Sequence, residues 1–222
     1  MLDFVSLEGV HKCVAIWLYD RRSANGASFV CFGQRLVTMT DDPACQVLVA
    51  YQRKVLDALG IVNGPSHGEV MLIGEDEVCL VEVGARCHGA EGAWMEISQS
   101  VLGYNQVEVT LLAYLEPSSF TLIPDNPERR LGHYGRLCFF ISYESGVVES
   151  VDEATMQDLL SLKSVTYAEI FPQAGTSLRP TIDCLSFGGI VKMINTSLEE
   201  LVEDYEKLRN IENRQTLFVL LH

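Results

Sequence analysis

Two apolar runs separated by four residues constrain this chain more than any other feature. Residues 68–73 read GEVMLI, residues 78–83 read VCLVEV, and only GEDE lies between them. Four residues cannot hold a crossover, so the two runs must pair as an antiparallel hairpin. A turn centred between Glu75 and Asp76 predicts the register: 69 faces 82, 71 faces 80 and 73 faces 78. Side chains alternate along a strand. Glu69, Met71, Ile73, Val78, Leu80 and Glu82 are therefore expected on one face, and Val70, Leu72, Cys79 and Val81 on the other. With both faces apolar, the hairpin is expected to be central and covered on both sides.

Two carboxylates placed directly across a hairpin repel each other. Partial burial sharpens the conflict, and the pair must share a proton or take up a cation. Magnesium suits the pair, because it accepts oxygen ligands and is commonly held by one or two carboxylates together with substrate phosphates. Arg86 follows Glu82 by four residues, past Gly84, within reach of the same place. There it could neutralise charge developing on a phosphoryl group. The run GARCHGAEG (84–92) is spaced by glycines that let backbone approach a ligand. A plainer reading stands beside this one: glutamates solvated at strand ends, with Glu82 in a salt bridge to Arg86.

The rest of the chain reads as mixed α+β, mostly antiparallel, in two subdomains. Residues 2–8 and 10–20 are strand-like, and Asn25-Gly26 marks a tight hairpin returning along 29–39. Apolar spacing over 43–59 predicts a helix with Asp41 or Asp42 as cap and Gly60 as stop. Residues 91–101 and 105–115 are expected as two helices or as one broken by Leu102-Gly103, the proline-bearing segment 117–132 as a linker, and 133–222 as a small α+β subdomain. That subdomain ends in an amphipathic helix capped by Thr196 or Ser197 and a last strand, TLFVLL.

Composition excludes some partners. A formal net charge of -14 leaves no basic surface for nucleic acid or for anionic lipid. No run nears the roughly 18 apolar residues of a membrane span. The seven cysteines are scattered, never spaced as CxxC, and read as free thiols of a reducing, cytoplasmic compartment rather than zinc ligands. Cys87 beside Arg86 invites a nucleophile reading, but nothing near it in sequence makes a convincing activating base.

The string GPSHGEVMLIGEDEVCLVEVGARCHGAEG (64–92) resembles the magnesium and nucleotide end of the ATP-grasp superfamily. Within it the chain is most similar to the carboxylate–amine ligases that include L-amino acid ligases and carnosine-synthase-like enzymes. The resemblance implies an ATP-grasp C-terminal lobe over 1–116, an antiparallel sheet with helices, followed by the small α+β subdomain. It implies ATP and Mg2+ (or Mn2+) as cofactors, with Glu69 and Glu82 as metal ligands. Arg86 would stabilise the acyl-phosphate step, Met71 would contact adenine, and His67 would stand beside the nucleotide. His88, Glu91 and Trp94 would shape the pocket for a small carboxylate or amine substrate. A homodimer is the default assembly for such folds.

Two departures stand out. The family places asparagine two residues after the second acid, where this chain has Gly84, which weighs against a second magnesium ion. The lysines that hold the ATP phosphates in the family should precede Met1, and none of Lys12, Lys54, Lys163, Lys192 and Lys207 follows that motif. One expectation is therefore the C-terminal part of a MgATP-dependent, ADP-forming ligase. The other is a non-catalytic remnant or interaction subunit that needs a separate N-terminal half.

Overall fold

The computed structural model describes residues 1–74 and 77–221. The expected turn at Glu75 and Asp76 thus lies outside the described residues. The chain divides into two compact units: Met1–Leu18 with Leu36–Leu131, and Tyr19–Arg35 with the chain from Gly132 onward. The segment 117–132 lies inside the first unit, and the Asn25-Gly26 hairpin belongs to the second.

The first unit is built on strands β1 (Leu2–Leu7), β2 (Val10–Ala24), β3 (Ala27–Val37), β4 (Gly64–Ile73) and β5 (Glu77–Gly84). β2 and β3 also contribute residues to the second unit. The order β5-β4-β1-β2 is antiparallel throughout and leaves β5 at the edge. Helix α1 (Ala44–Ala58) covers one face, where its Cys45, Val49 and Leu56 pack with Leu2, Phe4, Cys13 and Ile16. Its first turn is entered through Asp42, whose Oδ1 accepts from the Ala44 amide at 2.9 Å. It stops at Gly60, which takes φ +68° as the 56–61 carbonyl-to-amide bond closes. Helices α2 (Met95–Leu102), α3 (Gln106–Leu115) and α4 (Pro117–Leu122) follow. The break between α2 and α3 falls at Gly103, φ +90°, and Asn105 caps α3. Lys12 donates to the Thr121 and Ile123 carbonyls and so satisfies the end of α4.

In the second unit β3 pairs with β6 (Tyr134–Phe140), β6 with β10 (Gly189–Asn195), and β10 with β8 (Val165–Ile170). A small sheet joins β7 (Gly146–Val151) to β9 (Ser177–Leu178) and β11 (Phe218–Leu220). Helix α5 (Glu153–Leu160) is capped by Asp152, and α6 (Leu198–Arg214) by Ser197. Leu201, Tyr205, Leu208 and Ile211 form the buried stripe of α6, against Cys138, Val191 and Met193. No helix among the described residues is long and apolar enough to cross a membrane.

The hairpin β4–β5 departs from expectation in two ways. It sits at the sheet edge with one open face, not centrally: Met71, Ile73 and Val81 are 52%, 47% and 52% exposed. The apolar residues of that open face cover no core of their own. The register also shifts once. Glu69 faces Glu82, the expected pair, but the pairs next to the turn are one residue off the expected register: Val70 faces Leu80, Met71 faces Cys79 and Ile73 faces Glu77. Val81 is the extra residue of a bulge, and it turns the distal half of β5 over. Leu80 and Val78 therefore share the covered face with Val70 and Leu72, and Cys79 shares the open face with Met71.

Candidate functional site

The open face of the hairpin carries the two glutamates. Glu69 is half-buried and Glu82 exposed, directly paired across β4 and β5. Residues so paired stand about 5 Å apart at Cβ and project to the same side. Two like charges at that separation, beside an apolar surface, favour a shared cation. The bulge falls just beyond the pair, which keeps Glu82 on the side of Glu69 while the rest of β5 turns over. Arg86 is exposed, and its Nη1 donates to the Cys87 carbonyl at 3.0 Å. Its side chain lies against Gly84, where an added Cβ would sit 3.4 Å from it. The alternative ion pair of Arg86 with Glu82 does not form among the described residues. Met71 lies two residues from Glu69 on the open face, exposed as an adenine-stacking surface would be.

The same face of β4 carries a buried polar cluster farther from the sheet edge, because His67 and Glu69 are two residues apart on one strand. Asp3 of β1 is wholly buried and pairs in register with His67 of β4. His67 Nδ1 stands 2.6 Å from Asp3 Oδ1, His88 Nδ1 stands 3.1 Å from Asp3 Oδ2, and Trp17 Nε1 donates to Oδ2 at 2.8 Å. Burial works to raise the Asp3 carboxyl. The hydrogen bonds and positive potential of His67 and His88 outweigh it and hold Asp3 well below the usual carboxylate range. The rings stack in sequence: His67 on His88 with centroids 4.4 Å apart, and His88 on Trp94 at 5.3 Å. The Trp94 indole donates to the His88 and Gly89 carbonyls at 3.2 and 2.8 Å. Gln106 accepts from the His88 amide at 2.8 Å and donates to the Phe4 and Ser66 carbonyls at 3.1 and 3.0 Å.

Asp3, His67 and His88 place their ligand atoms within 4.8 Å of one another, close enough to raise a metal reading. A tetrahedral ion with bonds of about 2 Å needs neighbouring ligands about 3.3 Å apart. The two contacts to Asp3 are of hydrogen-bond length, and an ionised carboxylate only accepts, so both imidazoles donate to it. The cluster is a hydrogen-bonded clamp.

The structure thus divides the residues singled out from sequence. Glu69, Glu82, Met71 and Arg86 stand at the open face or its edge. His67, His88 and Trp94 are buried. Glu91 is exposed in a strained turn where Ala90 and Glu91 take φ +53° and +50°, and Gly92 takes +77°. Burial pushes the Cys87 thiol up, which opposes a nucleophilic role. Sequence reasoning missed Asp3, Trp17 and Gln106. Asp3 did carry a signal: it is the one charge in the apolar strand LDFVSL.

Comparison with solved structures matches this architecture across the whole chain. L-amino acid ligase from Bacillus licheniformis superimposes with a TM-score of 0.77 at 20% identity, covering 100% of this chain and 51% of that one. The fold is that of the ATP-grasp ligases. Phosphoribosylglycinamide synthetase from Anaerococcus prevotii superimposes at 0.70 and 13% identity, over 99% of this chain and 52% of that one. N5-carboxyaminoimidazole synthase from Aspergillus clavatus, solved in complex with ADP, superimposes at 0.57 and 15% identity, over 96% and 51%. Among curated proteins, dapdiamide A synthase of Enterobacter agglomerans is 27% identical over 213 residues, 96% of this chain and 48% of the relative. No family model matches the chain. Together these similarities show the fold, and the chain spans about half the length of the relatives it matches.

Proposed function

We propose that this chain supplies the metal-and-arginine end of an ATP-dependent carboxylate–amine ligase. The observation that carries this reading is the register pair Glu69–Glu82 on the open face of an edge hairpin, with Arg86 four residues beyond. The two carboxylates fit Mg2+ or Mn2+, which when bound would neutralise nucleotide phosphate charge. Met71 offers an apolar surface for adenine. Arg86 lies where a guanidinium would offset charge on the transferring phosphoryl group. The substrate carboxylate would attack the γ-phosphorus and release ADP. The amine would then attack the acyl carbon of that acyl phosphate and release phosphate, leaving a new C–N bond. Glu91 in its strained turn would rim the substrate pocket, and the buried His67, His88 and Trp94 would support it. An L-amino acid ligase among the structural neighbours favours amino acids as the first substrates to try.

The test is release of ADP and phosphate from MgATP with paired amino acids, on the longest protein that carries this chain. Amine-dependent ADP release that drops at least a hundredfold in Glu82→Gln is the expected result. Release that is untouched by Glu82→Gln overturns the metal assignment, and the absence of any release in the unmodified protein overturns the ligase reading.

A further inference from the structure

We propose that Asp3 is a positioning residue that holds the Arg86 loop against the β4 strand, an inference that rests on the ligase reading for its catalytic consequence. Three elements meet at one carboxylate. His67 is two residues before Glu69, and His88 is two residues after Arg86. Asp3 hydrogen-bonds both, through separate oxygens, at 2.6 and 3.1 Å. The strand bearing the first glutamate and the loop bearing the arginine are thereby tied to the same buried atom pair. Trp17 restrains the carboxylate from β2 at 2.8 Å.

The loop needs such a restraint. Its residues Ala90 and Glu91 occupy the left-handed region, at φ +53° and +50°, where a side chain is disfavoured. Such a conformation persists only where its surroundings over-determine it. On the loop side those surroundings are the His88–Asp3 bond, the His88 amide on Gln106, and Trp94 donating to the carbonyls of His88 and Gly89. The Gln106 and Trp94 bonds hold backbone. The His88 ring bonds Asp3 of β1 from within the stack it forms with His67 and Trp94, so Asp3 helps set the position of that stack two residues from Arg86.

The first experiment uses the chain itself. Asp3→Asn keeps the shape and removes the charge. His88→Phe keeps a ring between His67 and Trp94 and removes the loop's bond to Asp3, so it decides the matter if Asp3→Asn fails to fold. Trypsin cleavage after Arg86 is followed by mass spectrometry in native buffer, with cleavage after Arg130 in the same unit as the reference. Cleavage at Arg86 is expected to rise about tenfold in both variants, at unchanged far-UV circular dichroism and an unchanged Arg130 rate. The chain's two tryptophans both touch the clamp, so acrylamide quenching should rise in parallel. Folded variants cut at the wild-type rate, or cut faster at both sites alike, overturn the clamp.

The second experiment is the ADP-release assay. Asp3→Asn should lower kcat with the KM for ATP unchanged, since a displaced Arg86 is felt in the transition state. An unchanged kcat with a released loop overturns the positioning role. A silent wild-type protein overturns the ligase reading instead, and the trypsin result still decides the clamp.

Discussion

Replacing one of the facing glutamates should stabilise the metal-free chain and abolish its response to divalent ions. Glu69 and Glu82 form a direct cross-strand pair, with Glu69 half-buried and Glu82 exposed. Like charges in that relation destabilise a hairpin by up to about 1 kcal/mol, and exposure of one partner places the effect near about 0.5 kcal/mol. Glu82→Gln removes the repulsion while keeping length and shape. In metal-free buffer of low ionic strength the variant should be more stable by that amount, and the gain should fade in high salt. Manganese at ten times its dissociation constant stabilises a binding chain by about 1.4 kcal/mol, which raises Tm by roughly 3–6 °C for a chain of this size. Thermal denaturation of wild type, Glu69→Gln, Glu82→Gln and the double variant, with and without Mn2+, closes a double-mutant cycle. The coupling should be unfavourable without metal and favourable with it. Additive effects in both conditions, or an equal Tm rise in all four proteins, would refute the shared-cation argument.

Three further outcomes follow from single positions. Gly33→Ala would put a Cβ 2.4 Å from the Leu137 carbonyl oxygen across the β3–β6 pair, at φ +153°. It should cost at least about 3 kcal/mol by urea denaturation, because backbone atoms on both sides cannot give way. Ala90→Gly should stabilise the chain by about 1 kcal/mol by relieving a left-handed alanine, read as an increased urea midpoint at constant slope. The depressed carboxyl of Asp3 makes stability depend on acid pH: its contribution is present in full above the unfolded value of 3.8 and is lost as pH falls through the lower folded value. Unfolding free energy measured from pH 4 downward should therefore fall more steeply in wild type than in Asp3→Asn, and parallel slopes would contradict the assignment.

Much of the local structure was legible from residue order. The helix ending at Gly60, the Asn105 and Ser197 caps and the breaks at Gly103 and Asn25-Gly26 lie where short-range chemistry puts them. The facing of Glu69 and Glu82 came out as expected only because the bulge offsets a turn one residue shorter than the expected one. The pairs next to the turn did not, and the bulge at Val81 adds a residue that no local pattern in VCLVEV announces. The expectation of a doubly covered hairpin failed for a related reason. Apolar residues on both faces identify surfaces that avoid water, but whether protein or a ligand covers them depends on the position of the strand in the sheet.

The sequence by itself determined most strands, helices and caps, and it put two glutamates on paired strands with an arginine four residues after the second. These depend on neighbours within a few positions, where alternation, cap chemistry and chain reach act without reference to the rest of the fold. Only the tertiary structure decided that β5 is an edge, that Met71 stands open while His67 on the same face is covered, that a bulge brings Glu82 opposite Glu69, and that Asp3 collects both imidazoles. Those facts join residues 64 and 85 positions apart, and the preference of a buried charge for nearby donors says that Asp3 must find partners without saying which.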